Sequence, residues 1–442
     1  MSGDNGATDP KAAARKRVLM TIFVTVLIDL IGFSIIFPLF PAMLEYYLAK
    51  EPDGSLFHRL VAWLGEVSGD DAYLPVLFGG VLGSLYSALQ FLCAPFWGSL
   101  SDRKGRRPIL LLTITGIALS YVLWFFSGSF AILIAARLLG GLMSGNISVA
   151  TAAVADSTTP ENRSRGMAVI GIAFGIGFTF GPAIGGTLSQ INLLDFAPGL
   201  EAWGVNPFST AALGAFLLSV FNLFLVVRRF PETLIDRATG ATQRTINVLK
   251  LFAPKAIPGV NRTNLMYFVF FFAFSGMEFT LVFLAADRFG FGPLDNAWMF
   301  VFVGFTMAFV QGGIVRRMVP RVGEKKMALA GILLTLPGFL ITGLAGSTGT
   351  LYLGLAFLAS GGALVTPCLG ALVSLYAPVE RQGEVLGVFR SLGALARAVG
   401  PILACLAYWR FGAETPYIAG AVLLVIPLAL GAGLPAVAKP EK

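Results

Sequence analysis

The chain has 442 residues, of which 56% are hydrophobic and 13% charged, with a formal net charge of +8 and a mean hydropathy of +0.78. A soluble domain covers its surface with roughly 25% charged residues, so this composition excludes a conventional soluble enzyme and places most of the exterior against lipid. The positive charge does not indicate nucleic acid, because the basic residues cluster in short connectors between apolar runs, the pattern that sets topology in a membrane.

A helix needs roughly 20 apolar residues to cross the hydrocarbon core. Twelve such spans are expected, at 18–46, 74–101, 107–127, 130–154, 165–190, 207–228, 263–288, 295–318, 326–345, 350–375, 384–409 and 414–436. No cleavable leader is expected, since Lys11, Arg15, Lys16 and Arg17 precede an apolar run too long for a signal core. With the amino terminus in the cytoplasm, 25 of the 32 Lys and Arg residues fall on that side and 4 on the other; Arg137, Arg390 and Arg397 lie within spans. That asymmetry predicts both termini inside and an even number of spans, in a cell (inner or plasma) membrane. In the outer loop at 48–73, Phe57, Leu60, Val61 and Leu64 recur at helical spacing. A short interfacial helix and a polar loop with scattered apolar residues both fit.

The longest connector, 229–262, contains Pro231, Pro254 and Pro258 and divides the chain into halves at 1–228 and 263–442. The halves are related: PENRSRGMAVIG at 160–171 and PVERQGEVLGVF at 378–389 are each followed by Gly-Pro, with one shift of 219 residues from Glu161 to Glu380 and from Gly181 to Gly400. Duplicated halves around a midplane site are the architecture of alternating-access carriers. The expected fold is an all-α membrane protein with two pseudo-symmetric six-helix bundles. No cofactor or metal is expected: Cys93, Cys368 and Cys405 are isolated in apolar segments, His58 is the only histidine, and no phosphate-binding loop occurs. The sequons at Asn146, Asn162 and Asn261 lie in a span or on the cytoplasmic side, where glycosylation is not expected.

Three strings carry the functional signal. GSLSDRKGRRPIL at 98–110 joins spans 2 and 3. Asp102 stands where a helix leaves the membrane, Gly98 permits close helix approach and Gly105 a tight turn. The string resembles the major facilitator superfamily signature, G-x-L-a-D-r-x-G-r-r/k, which Gly98, Leu100, Asp102, Arg103, Gly105, Arg106 and Arg107 meet. The resemblance implies a cytoplasmic latch that holds the outward-facing state and breaks during cycling, with Asp102 able to pair across to the other half. RRMVPRVGEKK at 316–326 is a weak echo without the acid, so the latch is expected to be one-sided. GFTFGPAIGG at 177–186 resembles the antiporter motif of drug/proton exchangers, G-x-x-x-G-P-x-x-G-G, through Gly177, Gly181, Pro182, Gly185 and Gly186. Small residues on one face allow backbone contact between helices, and Pro182 removes a helical hydrogen bond. The motif implies exchange over symport.

DLIGFSIIFPLFP at 29–41 resembles the first span of tetracycline/proton antiporters. Asp29 lies about 11 residues, or roughly 16 Å, into its span. A charged carboxyl at that depth costs about 2.5–3.5 kcal/mol on insertion scales, so it is partnered, protonated or facing water. Its expected partner is Arg137 in RLLGG at 137–141, a segment similar to the span-4 motif whose arginine the family links to proton transfer; a purely structural ion pair is the alternative reading. Glu278 in span 7 is the other mid-span acid. In the superfamily, spans 1, 4, 7 and 10 line the cavity, which implies that Asp29, Arg137 and Glu278 face one space as the proton-coupling set. Arg397 in span 11 either pairs with Glu278 or, with Arg137 and Glu278, contacts substrate; Arg390 can snorkel to the surface. The resemblance covers essentially the whole chain and is strongest to the tetracycline-transporter-like branch, although the long 48–73 loop departs from compact bacterial exporters. It implies a monomer, with lipid around it, that exports small amphipathic organic molecules (drug-like or organic-anion) in exchange for protons. The alternative is an organic-anion or lipid-like carrier working by uptake or exchange, and a non-transporting receptor or scramblase is a third class.

Overall fold

The computed structural model describes residues 10–68, 74–158, 163–234, 257–378 and 381–435. Backbone polar groups in hydrocarbon must be satisfied within the segment, so the apolar runs become helices. Eleven helical stretches among the described residues are long and apolar enough to cross a membrane, and Arg163–Leu188 supplies a twelfth. In chain order they are span 1, Arg15–Lys50; span 2, Leu74–Lys104; span 3, Arg106–Phe125; span 4, Phe130–Ser157; span 5, Arg163–Leu188; and span 6, Ser209–Arg229. Then come span 7, Val260–Phe289; span 8, Pro293–Val322; span 9, Glu324–Gly343; span 10, Thr348–Tyr376; span 11, Gln382–Phe411; and span 12, Thr415–Ala432. Every expected span is present. The carboxyl-terminal end of span 1 and the start of span 2 define what we term the far face; the start of span 1 and the end of span 12 lie on the opposite, terminal face.

Span 1 packs on spans 4, 5 and 6, and span 3 on spans 4 and 6; span 7 packs on spans 10, 11 and 12, and span 9 on spans 10 and 12. These contacts define two six-helix bundles, which meet through span 2 against span 11 and span 5 against span 8. Most of the expected connector and the repeat segments around Glu161 and Glu380 lie outside the described residues. In the outer loop the helical alternative is realised: Leu56–Ser68 is an α-helix. Its Phe57 ring is buried on Phe130, 4.4 Å between centroids, and on Phe78 and Tyr47.

Two interruptions position the polar residues. Span 1 breaks after Ser34 and restarts at Phe40, with a 3-10 turn at Phe37–Leu39; Pro38 and Pro41 each lack the N–H that a continuous helix would use. Span 4 breaks between Met143 and Asn146. The indole of Trp97 packs where any side chain on Gly145 would fall, and its Nε1 donates to the Leu142 carbonyl at 2.7 Å. That bond satisfies one of the carbonyls a helix end leaves orphaned.

Candidate transport site

Asp29 is 8% exposed and Arg137 4% exposed, both in the interior of the first bundle. The break in span 4 starts a fresh helix at Asn146, whose amide Nδ2 donates to Asp29 Oδ2. Asn222, fully buried on span 6, donates from Nδ2 to Asp29 Oδ1 at 3.4 Å and to the Thr25 carbonyl at 3.3 Å. The carboxylate is therefore cradled by two amides from two spans. The expected Asp29–Arg137 ion pair is not formed among the described residues. Arg137 instead lays its guanidinium over the Tyr86 ring, 4.6 Å from its centroid, and the Phe33 ring, 5.8 Å away. Its Nε and Nη2 have no hydrogen-bond partner among the described residues. The reason is local: the amides reach both carboxylate oxygens, while two ring faces offer the guanidinium cation–π attraction.

In the second bundle, Glu278 and Arg397 are partly exposed and close enough for the guanidinium charge to act on the carboxylate. Arg397 also lies over the Phe271 ring at 5.6 Å and within hydrogen-bonding reach of Tyr267. The structure thus separates the four expected residues into two groups, Asp29 with Arg137 and Glu278 with Arg397, one in each bundle. A cavity of about 500 Å³ lined by Ile257, Pro258, Asn261 and Arg262 opens at the beginning of span 7, sixteen or more residues along the helix from Glu278 and outside both groups.

The signature loop forms a compact ionic network within the first half. Arg106 is nearly buried and bonds Asp102 at 2.5 Å, Asp156 of span 4 at 2.8 Å and Ser101 Oγ at 2.7 Å. Among the described residues, then, Asp102 pairs inside its own half, not across to the other. Gly105 has φ of +105°, a region that favours glycine, and a Cβ there would collide with the Glu232 carboxylate. Glu232 accepts from the backbone N–H of Arg106 at 2.8 Å and Arg107 at 3.2 Å, the unsatisfied amides at the start of span 3, and from Thr233 and Leu234 at 3.0 Å. Partial burial pushes the Glu232 carboxyl up, but these four donors hold it below its ordinary range. Arg107 turns its guanidinium to the Val227 carbonyl at 2.8 Å. Arg103, also in the signature, is exposed on the last turn of span 2, and a Cβ on Gly98 would stand 3.0 Å from Ser148 Oγ of span 4.

The glycine motif of span 5 faces two ways. Added Cβ atoms at Gly177, Gly181 and Gly185 would meet span 1: Leu30 Cβ at 2.5 Å, the Ile31 carbonyl at 2.7 Å and Ile35 backbone, respectively. Pro182 lies inside this helix without ending it. Gly186 instead abuts Pro293 and Ala297 of span 8, in the other half. Further contacts between halves lie toward the same far face. Gly79 and Gly83 of span 2 leave space filled by the rings of Phe283 and Phe279 in span 7, and Gly80 meets Cys405 of span 11. The Phe279 ring also packs on Phe37 and Phe40 of span 1, at 5.4 and 5.5 Å. An aromatic plug thus closes the far face.

Two six-helix bundles with a charged group in the interior of each define a membrane transporter. The chain belongs to the Major Facilitator Superfamily, which it matches over residues 22–401 and 314–442. It is 37% identical to major facilitator superfamily domain-containing protein 10 of Mus musculus, covering 97% of this chain and 96% of the relative. It is 27% identical to the class B tetracycline resistance protein of Escherichia coli, covering 87% of each. Among solved structures, the human organic anion transporter MFSD10 (TETRAN) superposes with a TM-score of 0.76 at 37% identity, covering 96% of this chain and all of that one. Asn146, Asn222, Asp156 and Glu232 were not singled out as site residues from sequence. A lone amide inside an otherwise apolar span, as in AFLLSVFNLFLVV, was the signal for Asn222.

Proposed function

We propose that this transporter carries amphipathic organic anions across a cell membrane in exchange for protons, as a monomer with both termini in the cytoplasm. The observation that supports this most is Arg137. A buried guanidinium with two unpartnered nitrogens carries a desolvation cost that a carboxylate or sulfonate would relieve through a paired hydrogen bond. The Tyr86 and Phe33 rings beside it suit the apolar part of such a ligand. Arg397 and Glu278 form the substrate contacts of the second half. Asp29 and Glu278 are the carboxyls that take and release protons, each proton supplying about 2.3 kcal/mol per 100 mV of membrane potential. The plugged far face corresponds to the state open to the cytoplasm, and the signature latch, with Gly98, Asp102, Arg103, Gly105, Arg106 and Arg107, engages the other half when that side closes. The similarity to a protein described as an organic anion transporter supports the substrate class.

The test is anion flux with internal pH recorded in proteoliposomes. Inward proton movement should accompany anion extrusion, and Asp29→Asn should abolish concentrative transport while downhill exchange persists. Undiminished accumulation after a protonophore collapses the proton gradient would refute proton coupling. Transport of cationic compounds in preference to their anionic counterparts would refute the substrate class.

A further inference from the structure

The amide cradle around Asp29 has a consequence for Arg137. Phe33, whose ring lies under the Arg137 guanidinium, follows Asp29 by four residues, one helical turn or about 6 Å along span 1. The carboxylate and the ring that carries the guanidinium therefore sit on one face of span 1, one turn apart. In an apolar interior the attraction between carboxylate and guanidinium is strong, so something must keep them separate. Both carboxylate oxygens are occupied, Oδ2 by Asn146 of span 4 and Oδ1 by Asn222 of span 6. Among the described residues Asn222 Oδ1 and Thr25 Oγ1 are buried without hydrogen-bond partners, so there the Asn222 amide is oriented by what its Nδ2 touches, the Asp29 carboxylate and the Thr25 carbonyl. The other groups facing this point are Tyr86 of span 2 and Tyr121 of span 3, whose hydroxyl rests against Gly32. Span 5 presents Gly177 to Leu30, the residue after Asp29.

We infer that Asn146 and Asn222 set the affinity of the anion site without touching the anion: they hold the Asp29 carboxylate away from Arg137, which otherwise would fill the site as an internal anion. This rests on the reading that Arg137 receives the substrate. It makes the two asparagines positioning residues, and it makes Asp29 a competitor that must be restrained whenever substrate binds.

The experiment is equilibrium binding of fluorescein, an amphipathic organic anion, to the purified full chain in detergent. Asn222→Leu removes the amide at nearly constant volume and should weaken binding about ten-fold or more, the value of a hydrogen bond to a charged group. Asn222→Ser keeps a short donor and should fall between, and Asn146→Leu should act in the same direction. The deciding measurement is Asn222→Leu in an Asp29→Asn background, where the internal competitor is neutral and the loss should shrink to less than two-fold. A purely structural role for Asn222 predicts the same loss in both backgrounds, and that result overturns the inference, as does unchanged affinity in a folded Asn222→Leu or Asn222→Ser protein. Arg137→Leu separates the underlying reading: undiminished fluorescein binding there shows that the anion does not use Arg137, and the inference falls with it.

Discussion

Gly83→Ala tests the far-face plug directly. An added methyl group at position 83 falls inside van der Waals contact with Cε2 and Cζ of the Phe279 ring. That ring is already packed against Phe37 and Phe40, at 5.4 and 5.5 Å, so it cannot swing aside within the closed plug. Relaxed carbon–carbon contact needs about 3.5–4.0 Å, so spans 2 and 7 must separate by an ångström or so. Overpacking of this kind costs about 1–3 kcal/mol. The cost applies only to the closed state, because opening the far face carries Phe279 away from span 2. The equilibrium therefore shifts toward the open far face by about five- to 140-fold, one factor of ten per 1.4 kcal/mol. Cys405 is a native reporter: it is 2% exposed, and a Cβ on Gly80 would stand 3.0 Å from its Cβ and Sγ. With Cys93 and Cys368 replaced by serine, a membrane-impermeant maleimide added on the far side should label Cys405 at least about five times faster in Gly83→Ala than in the parent. Equal labelling rates in two folded proteins would show that these rings do not gate the far face.

Other outcomes follow from the terminal face. Asp102→Asn should slow transport several-fold while changing stability by less than about 1 kcal/mol, because Asp102 is 32% exposed and Asp156 continues to hold Arg106; transport kinetics and thermal melting separate the two effects. Glu232 binds fewer protons folded than unfolded, since its carboxyl is held below the ordinary range. Its contribution is complete above about pH 5 and is lost as the pH falls through its folded value. Amide hydrogen exchange at Arg106 and Arg107 should accordingly show extra acceleration in acid, after correction for intrinsic rates, and Glu232→Gln should show that acceleration already at neutral pH.

Much of this architecture is legible in the sequence because lipid enforces it. Twelve apolar runs must be helices, and their ends appear within a few residues of the expected positions. The signature and glycine motifs could be located because each depends on residue type: Gly105 needs positive φ, and Gly185 leaves no room above the Ile35 backbone. Partner choice was less accessible. Charge complementarity paired Asp29 with Arg137, but the break at Ser144–Gly145 brings Asn146 onto the carboxylate instead. Asn146 reads in the sequence as an unused glycosylation site. Similarly, nothing in the order of residues announces that Glu232, more than a hundred positions away, caps span 3. Spans report their own burial; contacts between them depend on rotation about each axis, which hydropathy does not encode.

Span 5 has a mechanical consequence. One flank of it is locked to span 1, where Ser34 Oγ donates to the Gly177 carbonyl at 3.2 Å and Gly181 and Gly185 close against the backbone. The last glycine of the motif, Gly186, bears on span 8 of the opposite bundle. Ser34 stands five residues beyond Asp29 in the same helix. A displacement of the second bundle is thus delivered through span 5 as a push on the helix that carries the carboxylate. Span 5 is built as a connecting rod: at the motif's glycines no side chain stands between it and either span 1 or span 8.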